Sequence, residues 1–292
     1  MTLIGRFWVT PEGQGPSFHG TALAQPLAFT RTSRYITAIV GNPFQSGAAI
    51  ENSCYCRPEP SAPSGLVYVN GGKPQELETH IHSQFRAMIM SGAFPCVLGR
   101  SALKNNSYRF ALYDDMTSAA SVQGLCHDLF EFVQEQPLAY EFSTFATCFC
   151  DPQPVDETDF ERLLWGLLQA LHNEDAVHHE WDTKTSSEPN NPQFSFSFGG
   201  RSYFIVGLHA RSSRVSRRFT YPTVVFNAHY QFQNLKEEDK FEHFQKTIRG
   251  FDTRLQGNIN PSLTNYGSDS EAKQYSGRLV EQDWKCPFHP KK

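Results

Sequence analysis

The stretch between Phe204 and Phe232 constrains the fold most, because it contains two strand patterns separated by a strongly basic loop. The first run, Tyr203–Leu208, has the apolar side chains of a buried β-strand, and Thr223–Phe226 predicts a further strand. The loop between them holds four arginines, which are costly to bury unless an acidic group meets them. The stretch therefore predicts two strands of a sheet and a connecting loop that faces an anionic partner.

His209 stands where the first strand gives way to the basic loop. One ligand could receive a metal bond from its imidazole and ion pairs from Arg214, Arg217 and Arg218. A heme has that shape, with iron at its centre and two propionates on one edge. The residues therefore indicate a heme b site with His209 as the first candidate for the iron ligand. The alternative is that His209 is a structural histidine and that the arginines form surface salt bridges.

Cys96 is the second candidate for the iron ligand. A thiolate ligand pushes electron density onto iron, as monooxygenation requires, but free cysteine is also often buried for packing reasons alone. His229, in the tripeptide that begins with Asn227, is either a distal hydrogen-bond partner for bound oxygen or a core histidine. We assign the catalytic role to His229 and Asn227.

Composition limits the class of protein. The chain has 292 residues, of which 39% are hydrophobic and 19% are charged, so it can bury a full core. A net charge of −4 disfavours a nucleic-acid partner, and no apolar run is long enough to span a membrane. Residues 1–20 do not resemble a secretory leader, and the seven scattered cysteines suit a reducing compartment. We expect a cytoplasmic protein.

The organisation of the sequence changes near residue 75. Residues 1–75 mix Pro, Gly, Ser and Thr with short apolar pieces, which predicts an irregular N-terminal arm, and residues 76–292 predict one large domain. A capping-box pattern at Thr158 opens the clearest helix. The fold class is α+β, with a mixed, mostly antiparallel sheet and flanking helices. Predicted helices lie near Phe85–Ile89, Leu125–Val133, Asp159–His172 and Phe241–Phe251; predicted strands are Tyr108–Tyr113, Phe142–Phe149 and the hairpin Phe194–Phe198 with Ser202–Leu208.

Six segments resemble the YqcI/YcgG family in sequence and in order. They read FPCVLGRSAL, GLHARSSRVSRRF, VFNAHYQF, RLQGNINPSL, SEAKQYSGR and WKCPF, and the resemblance extends over about Glu76–Phe288. The resemblance implies a heme-dependent N-hydroxylase that acts on the guanidine (or amine) nitrogen of arginine or an arginine-derived amino acid, as in the pre-guanitoxin N-hydroxylase.

The implied reaction needs further partners. A guanidinium substrate calls for a carboxylate, and Glu271 and Asp252 are the candidates, although either could instead pair with Arg254 or Arg278. The oxidant would be O2 or peroxide. Neither a Gly-rich dinucleotide fingerprint nor a ferredoxin-type cysteine cluster is present, so electrons would come from an external reductase. The sequence also allows a homo-oligomer.

Two other classes of function compete with this one. A heme carrier or sensor would bind the same cofactor without turnover. A zinc-stabilised structural protein would use the cysteines, but their spacing fits a zinc site poorly. The residues concerned are Cys54 and Cys56 in the N-terminal arm, Cys148 and Cys150, and Cys286 with His289.

Overall fold

A computed structural model describes residues 41–59, 61–92, 94–135, 142–231, 241–259 and 269–291. Gly41–Lys292 forms one compact unit. The helices in the described ranges are α1 (Gly47–Glu51), α2 (Glu76–Met90), α3 (Val97–Lys104), α4 (Ala119–Glu135), α5 (Glu157–Asp175), α6 (Phe241–Gln256) and α7 (Ala272–Tyr275).

The described strands are β1 (Cys56–Glu59), β2 (Ala62–Tyr68), β3 (Tyr108–Asp115), β4 (Thr144–Asp151), β5 (Phe196–Phe198), β6 (Arg201–Leu208) and β7 (Thr223–Ala228). They form one seven-stranded sheet in the order β2-β1-β3-β4-β7-β6-β5. The neighbours β3 and β4 are parallel, joined by a crossover that contains α4, and the other pairs are antiparallel. This confirms the predicted mixed, mostly antiparallel sheet with flanking helices.

Helices cover both faces of the sheet, so its central strands are buried on both sides. On one face, α4 and α5 pack their apolar residues against inward-facing aromatic side chains such as Phe145 and Phe226. On the other face, α2 and α3 pack against Ala146, Leu208 and Val225. Because successive side chains of a strand point to opposite faces, neighbouring residues of one strand belong to different cores. We call these the α4–α5 core and the α2–α3 core.

The predicted helix near Asp159–His172 and the predicted hairpin are both confirmed. Gly199 and Gly200 make the hairpin turn with φ values of 61° and 68°, a region that glycine enters without steric cost. The helix cap differs from the prediction. Asp156, and not Thr158, is the N-cap of α5, and its carboxylate accepts a hydrogen bond from the Asp159 amide. The helix therefore begins two residues earlier than the capping-box pattern indicated.

Part of the stretch assigned to the irregular arm contributes to the sheet. Within residues 41–75 the structure contains α1 and the antiparallel pair β1 and β2, and β1 joins the sheet at β3. Residues 1–40 lie outside the described residues. No helix in the part of the chain that the structure describes is long and apolar enough to cross a membrane.

The approach of α4 to the chain at Asn52 depends on Gly124. A Cβ atom on Gly124 would lie 2.1 Å from the Asn52 carbonyl oxygen, so Gly124→Ala should lower the free energy of unfolding by about 1–3 kcal/mol or more. Gly166, exposed in α5 with open space around it, provides the control. Gly166→Ala should raise the stability by about 0.5–1 kcal/mol. Chemical denaturation measures both, and equal effects of the two substitutions would contradict this packing.

Candidate active site

A cavity of about 300 Å³ lies between the sheet and the helices α2, α3 and α6. Its walls are mainly apolar, with Val206 and Val225 from the sheet and Phe85 and Leu98 from the helices. This volume is at the lower end of the range of about 300–1,000 Å³ found for ligand cavities. Polar and ionisable side chains interrupt the apolar walls, which is the usual composition of a site that binds and orients a small molecule.

The cavity brings together residues that are far apart in the sequence. Of the nine site residues predicted from the sequence, six line it and three are not among its described lining residues. The lining residues are Cys96, Arg217, Asn227, His229, Asp252 and Glu271, and the other three are His209, Arg214 and Arg218.

Cys96 lies in the cavity wall at the start of α3. It is the N-cap of this helix, and its sulfur accepts a hydrogen bond from the Gly99 amide at 3.3 Å. Burial raises the pKa of the Cys96 thiol, and the amides of Gly99 and Leu98 and the charges of Arg217 and Arg100 oppose this rise only in part. Without a metal the side chain is therefore a thiol, and a metal that bound it would displace the proton. Cys96 presents its sulfur to the cavity in that form.

His209 lies on the other side of the sheet from the cavity. Tyr203 and Ile205 of β6 belong to the α4–α5 core, and His209 continues this odd-numbered series just after the strand. Its ring stacks on Phe160 of α5 at a centroid distance of 4.2 Å. Both ring nitrogens are buried and have no hydrogen-bond partner among the described residues. The predicted iron ligand therefore packs its imidazole against Phe160 and does not line the cavity, although its backbone amide donates to the carbonyl oxygen of Arg217.

The three arginines predicted to bind propionates are bonded to the protein's own oxygen atoms. Arg217 donates to the carbonyl oxygens of Gly207, Gln274 and Tyr275 at 3.0–3.4 Å. Arg218 donates to two carbonyl oxygens of its own loop. In the described structure, then, Arg217 is the member of the three that lines the cavity.

The two predicted substrate carboxylates differ in their partners. Asp252 forms a buried ion pair with Arg214, and neither Arg254 nor Arg278 is the partner that the structure gives it. Arg214 also donates to Asn258, which joins the basic loop to the end of α6. Asp252 thus has a structural partner that ties α6 to this loop.

The carboxylate of Glu271 is oriented by a neutral hydroxyl group, whereas that of Asp252 pairs with a cation. The Tyr275 hydroxyl donates to Glu271 Oε1 at 2.7 Å, and Glu271 Oε2 lies 3.9 Å from His229 Nε2. All three side chains are buried, and Glu271 and His229 line the cavity. Burial and the adjacent carboxylate raise the pKa of the Tyr275 hydroxyl well above its usual value, so Tyr275 remains a donor. The arrangement places a carboxylate beside an imidazole in the cavity wall.

The side-chain amide of Asn227 is hydrogen-bonded through both its nitrogen and its oxygen. Its side-chain amide donates to the Phe204 carbonyl at 3.1 Å, and its oxygen accepts from Thr144 at 3.0 Å. Both partners lie on strands next to β7. The Asn227 side chain therefore crosslinks the strands that form the cavity wall.

Tyr275 and the α6 residues Gln245 and Arg249 were not predicted as site residues from the sequence. Tyr275 was visible within the segment SEAKQYSGR, at four residues after Glu271, which is the spacing of contacting residues on a helix. Gln245 and Arg249 line the cavity from α6, where the pattern had indicated the apolar stripe. The i, i+4 signal could have identified Tyr275, whereas which side of α6 faces a cavity depends on packing.

The cysteines outside the cavity have ordinary partners. Cys56 donates to the buried carboxylate of Glu78, and Cys148 accepts from the Thr223 hydroxyl. Among the described residues there is no group of three or more His, Cys, Asp or Glu side chains that could hold a metal ion. The backbone amide of Cys54 donates to the carboxylate of Asp128.

Comparisons with known proteins match most of this region. The model of the YqcI/YcgG family matches residues 85–289, which include every described residue that lines the cavity. The chain is 28% identical over 208 residues to "Uncharacterized protein YqcI" and 28% identical over 205 residues to "Uncharacterized protein YcgG", both of Bacillus subtilis (strain 168). Each alignment covers 67% of this chain and 80% of the relative. No solved structure matches the chain.

The burial of His209 makes the stability of the folded chain sensitive to acid. Burial lowers the pKa of His209 from 6.5 to about 4, so the folded state binds its proton less readily than the unfolded state does. The contribution of neutral His209 to the free energy of unfolding is fully present above the pKa of the unfolded state. It decreases as the pH drops toward the pKa of the folded state, and the loss is about 2–3 kcal/mol near pH 4.5. His209→Phe should lose less stability than the wild type between about pH 7 and pH 4.5 in denaturant titrations. Parallel losses in the two proteins would contradict this environment.

Proposed function

The chain belongs to the YqcI/YcgG family, and from this premise we propose that it is a heme-dependent monooxygenase in specialised metabolism. Its substrate would be arginine or an arginine-derived amino acid, hydroxylated on the guanidine or amine nitrogen. The resemblance described above implies this reaction. Support from the structure comes from one observation: a largely apolar cavity holds a helix-capping thiol together with a carboxylate–imidazole pair.

The sulfur of Cys96 and the apolar cavity walls have the chemistry that a heme would need. Its sulfur lines the cavity and accepts an amide hydrogen bond, and apolar side chains surround it as a porphyrin face requires. His209, which the sequence favoured, does not line the cavity, so we propose Cys96 as the iron ligand. A bound heme would supply the activation of O2 or peroxide. Arg217, in the same wall, is the cation that would meet an acidic edge of the cofactor.

The carboxylate–imidazole pair suits the substrate end of the reaction. A guanidinium is planar and is best met by a carboxylate, and Tyr275 holds the Glu271 carboxylate in one orientation. Asp252 is less suited to this task because Arg214 already neutralises it. His229, beside Glu271, can accept or return a proton at Nε2 when the substrate nitrogen changes its protonation state. Glu271 would bind and orient the substrate, and His229 would handle the proton.

The first test concerns the cofactor. Purified chain reconstituted with hemin should bind about one iron per chain and show a Soret band. Cys96→Ser should abolish the thiolate spectrum of the ferrous carbonyl complex, because the ligand that donates electron density to iron is removed. His209→Phe should retain both the heme and the spectrum.

Cys150→Ser is the matched control, since Cys150 is a half-buried cysteine at the end of β4 that does not line the cavity. It should behave as the wild type does. A spectrum unchanged in Cys96→Ser but lost in His209→Phe would transfer the ligand role to the histidine. An absence of heme binding in the wild type would reject the proposed function, and bound heme with no oxygenated product from guanidine-bearing and amine-bearing amino acids would favour a carrier.

The second test separates Glu271 from Asp252. Glu271→Gln keeps the shape of the side chain but removes its charge, so KM for a guanidine-bearing amino acid should rise by about 10–100-fold, the worth of one charged hydrogen bond. Asp252→Asn should instead lower the free energy of unfolding by about 3–5 kcal/mol, because Arg214 loses the acid in a buried pair. Steady-state kinetics and denaturation measure the two effects, and the reverse pattern would assign substrate binding to Asp252.

A further inference from the structure

A cluster of cationic side chains lies around Phe251, where α3 and α6 meet. The guanidinium of Arg100 on α3 lies 4.9 Å from the centre of the Phe251 ring, and that of Arg254 on α6 lies 4.3 Å from it. Lys104 is exposed one helical turn after Arg100, at the end of α3. Two guanidinium groups thus share one aromatic ring beside an exposed ammonium group. We call these four residues the α3–α6 basic surface.

Among the described residues, no acidic side chain neutralises the positive charge of this surface. None of Arg100, Lys104 and Arg254 forms an ion pair there. Helix α3 contains no acidic residue. Over residues 245–256 of α6 the acidic residue is Asp252, which is paired with Arg214. The surface therefore carries a local positive charge on a chain whose net charge is −4.

The surface lies next to the thiol in the cavity wall. The Arg100 amide donates to the Cys96 carbonyl at 3.2 Å, so Arg100 is one helical turn, or about 6 Å along the axis, from Cys96. Leu98 and Leu103 of the same helix line the cavity. A protein docked on this surface would be separated from the cavity by a single short helix.

The proposed reaction requires electrons that the chain cannot supply itself. Converting N–H to N–OH with O2 turns the second oxygen atom into water, which consumes two electrons and two protons. The sequence contains neither a dinucleotide fingerprint nor an iron–sulfur cysteine cluster. A separate protein that is itself oxidised must therefore deliver both electrons, one at a time if it carries a single one-electron centre.

We propose that the α3–α6 basic surface is the docking site for an acidic one-electron carrier protein, an inference that rests on the proposed function. Complementary charge accelerates the encounter and selects the orientation of the partner. Phe251 between two arginines has the composition of an interface centre, where aromatic residues and arginine are enriched. Electrons would enter from the α3 side, through the helix that begins at Cys96.

Binding of a defined carrier tests this surface. A plant-type [2Fe–2S] ferredoxin, which is acidic, should bind the heme-loaded chain in calorimetric titrations at about 20 mM salt and lose most of its affinity at about 500 mM. The triple variant Arg100→Glu, Lys104→Glu and Arg254→Glu should weaken binding by at least about tenfold, and the corresponding triple Gln variant should fall between it and the wild type. Cytochrome c, a basic carrier, should not bind.

Lys184→Glu is the control, because Lys184 is an exposed lysine in the loop after α5. It should bind the ferredoxin as the wild type does, and circular dichroism verifies the folding of every variant. Equal affinity of the triple Glu variant and the wild type would overturn the docking site, as would a wild type that does not bind the ferredoxin at low salt.

A second measurement separates the docking site from the chemistry. Hydrogen peroxide supplies oxygen and both electrons, so peroxide-driven product formation should be within about twofold in the triple variant and the wild type, while ferredoxin-driven turnover falls at least about tenfold. Equal losses in both assays would overturn the docking site. A wild type that makes no product by either route would reject the proposed function, while the charge-dependent binding would still be measured on its own.

Discussion

The guanidinium of Arg217 joins three parts of the chain at the wall of the cavity. It donates to the carbonyl oxygens of Gly207 in β6 and of Gln274 and Tyr275 in α7, and burial lowers its pKa to about 10. Gly207 permits this close approach, because a Cβ atom there would lie 2.9 Å from the Tyr275 carbonyl oxygen. The position of α7, and with it the direction of Glu271, depends on these contacts. The loop that the sequence indicated as an anion-binding segment thus contributes a guanidinium that holds β6 and α7 together.

The sheet separates two chemical environments that are adjacent in the sequence. Leu208 lines the cavity, whereas His209, the next residue, stacks on Phe160 beneath the opposite face. The same alternation places Val225 in the cavity wall and Phe226 in the α4–α5 core. Successive side chains of a strand point to opposite faces of the sheet. The residue that follows one in the cavity wall therefore directs its side chain away from the cavity. This alternation is the physical reason for preferring Cys96 to His209.

The proposed chemistry and the proposed partner use opposite sides of one short helix. The inner side of α3 carries Leu98 and Leu103 toward the cavity, and its outer side carries Arg100 and Lys104. A positive outer surface would attract an acidic carrier, and an apolar inner surface would exclude water from the cofactor. Cys96 at the start of the helix is common to both sides. The helix α3 together with its N-cap residue Cys96 would therefore serve both proposed roles, electron entry and iron ligation.

Local patterns were sufficient for much of the fold. The leucine periodicity of α5, the Gly199–Gly200 turn and the strand patterns of β3 and β4 each reflect interactions between residues close in sequence, and each prediction is confirmed. The family motifs also supplied residues that lie together in the fold, since six of the nine predicted site residues line one cavity.

The tertiary structure alone decided which partners these residues have. Pairing of Asp252 with Arg214, across 38 residues, and of Arg278 with Glu161, across 117 residues, depends on how distant elements pack. Inclusion of β1 and β2 in the sheet likewise depends on pairing of β1 with β3. The sequence by itself determined most of the helices and strands, the family and a set of candidate site residues, because short-range periodicity and motifs specify these. Which face of the sheet encloses a cavity was decided by long-range packing, which no local pattern encodes.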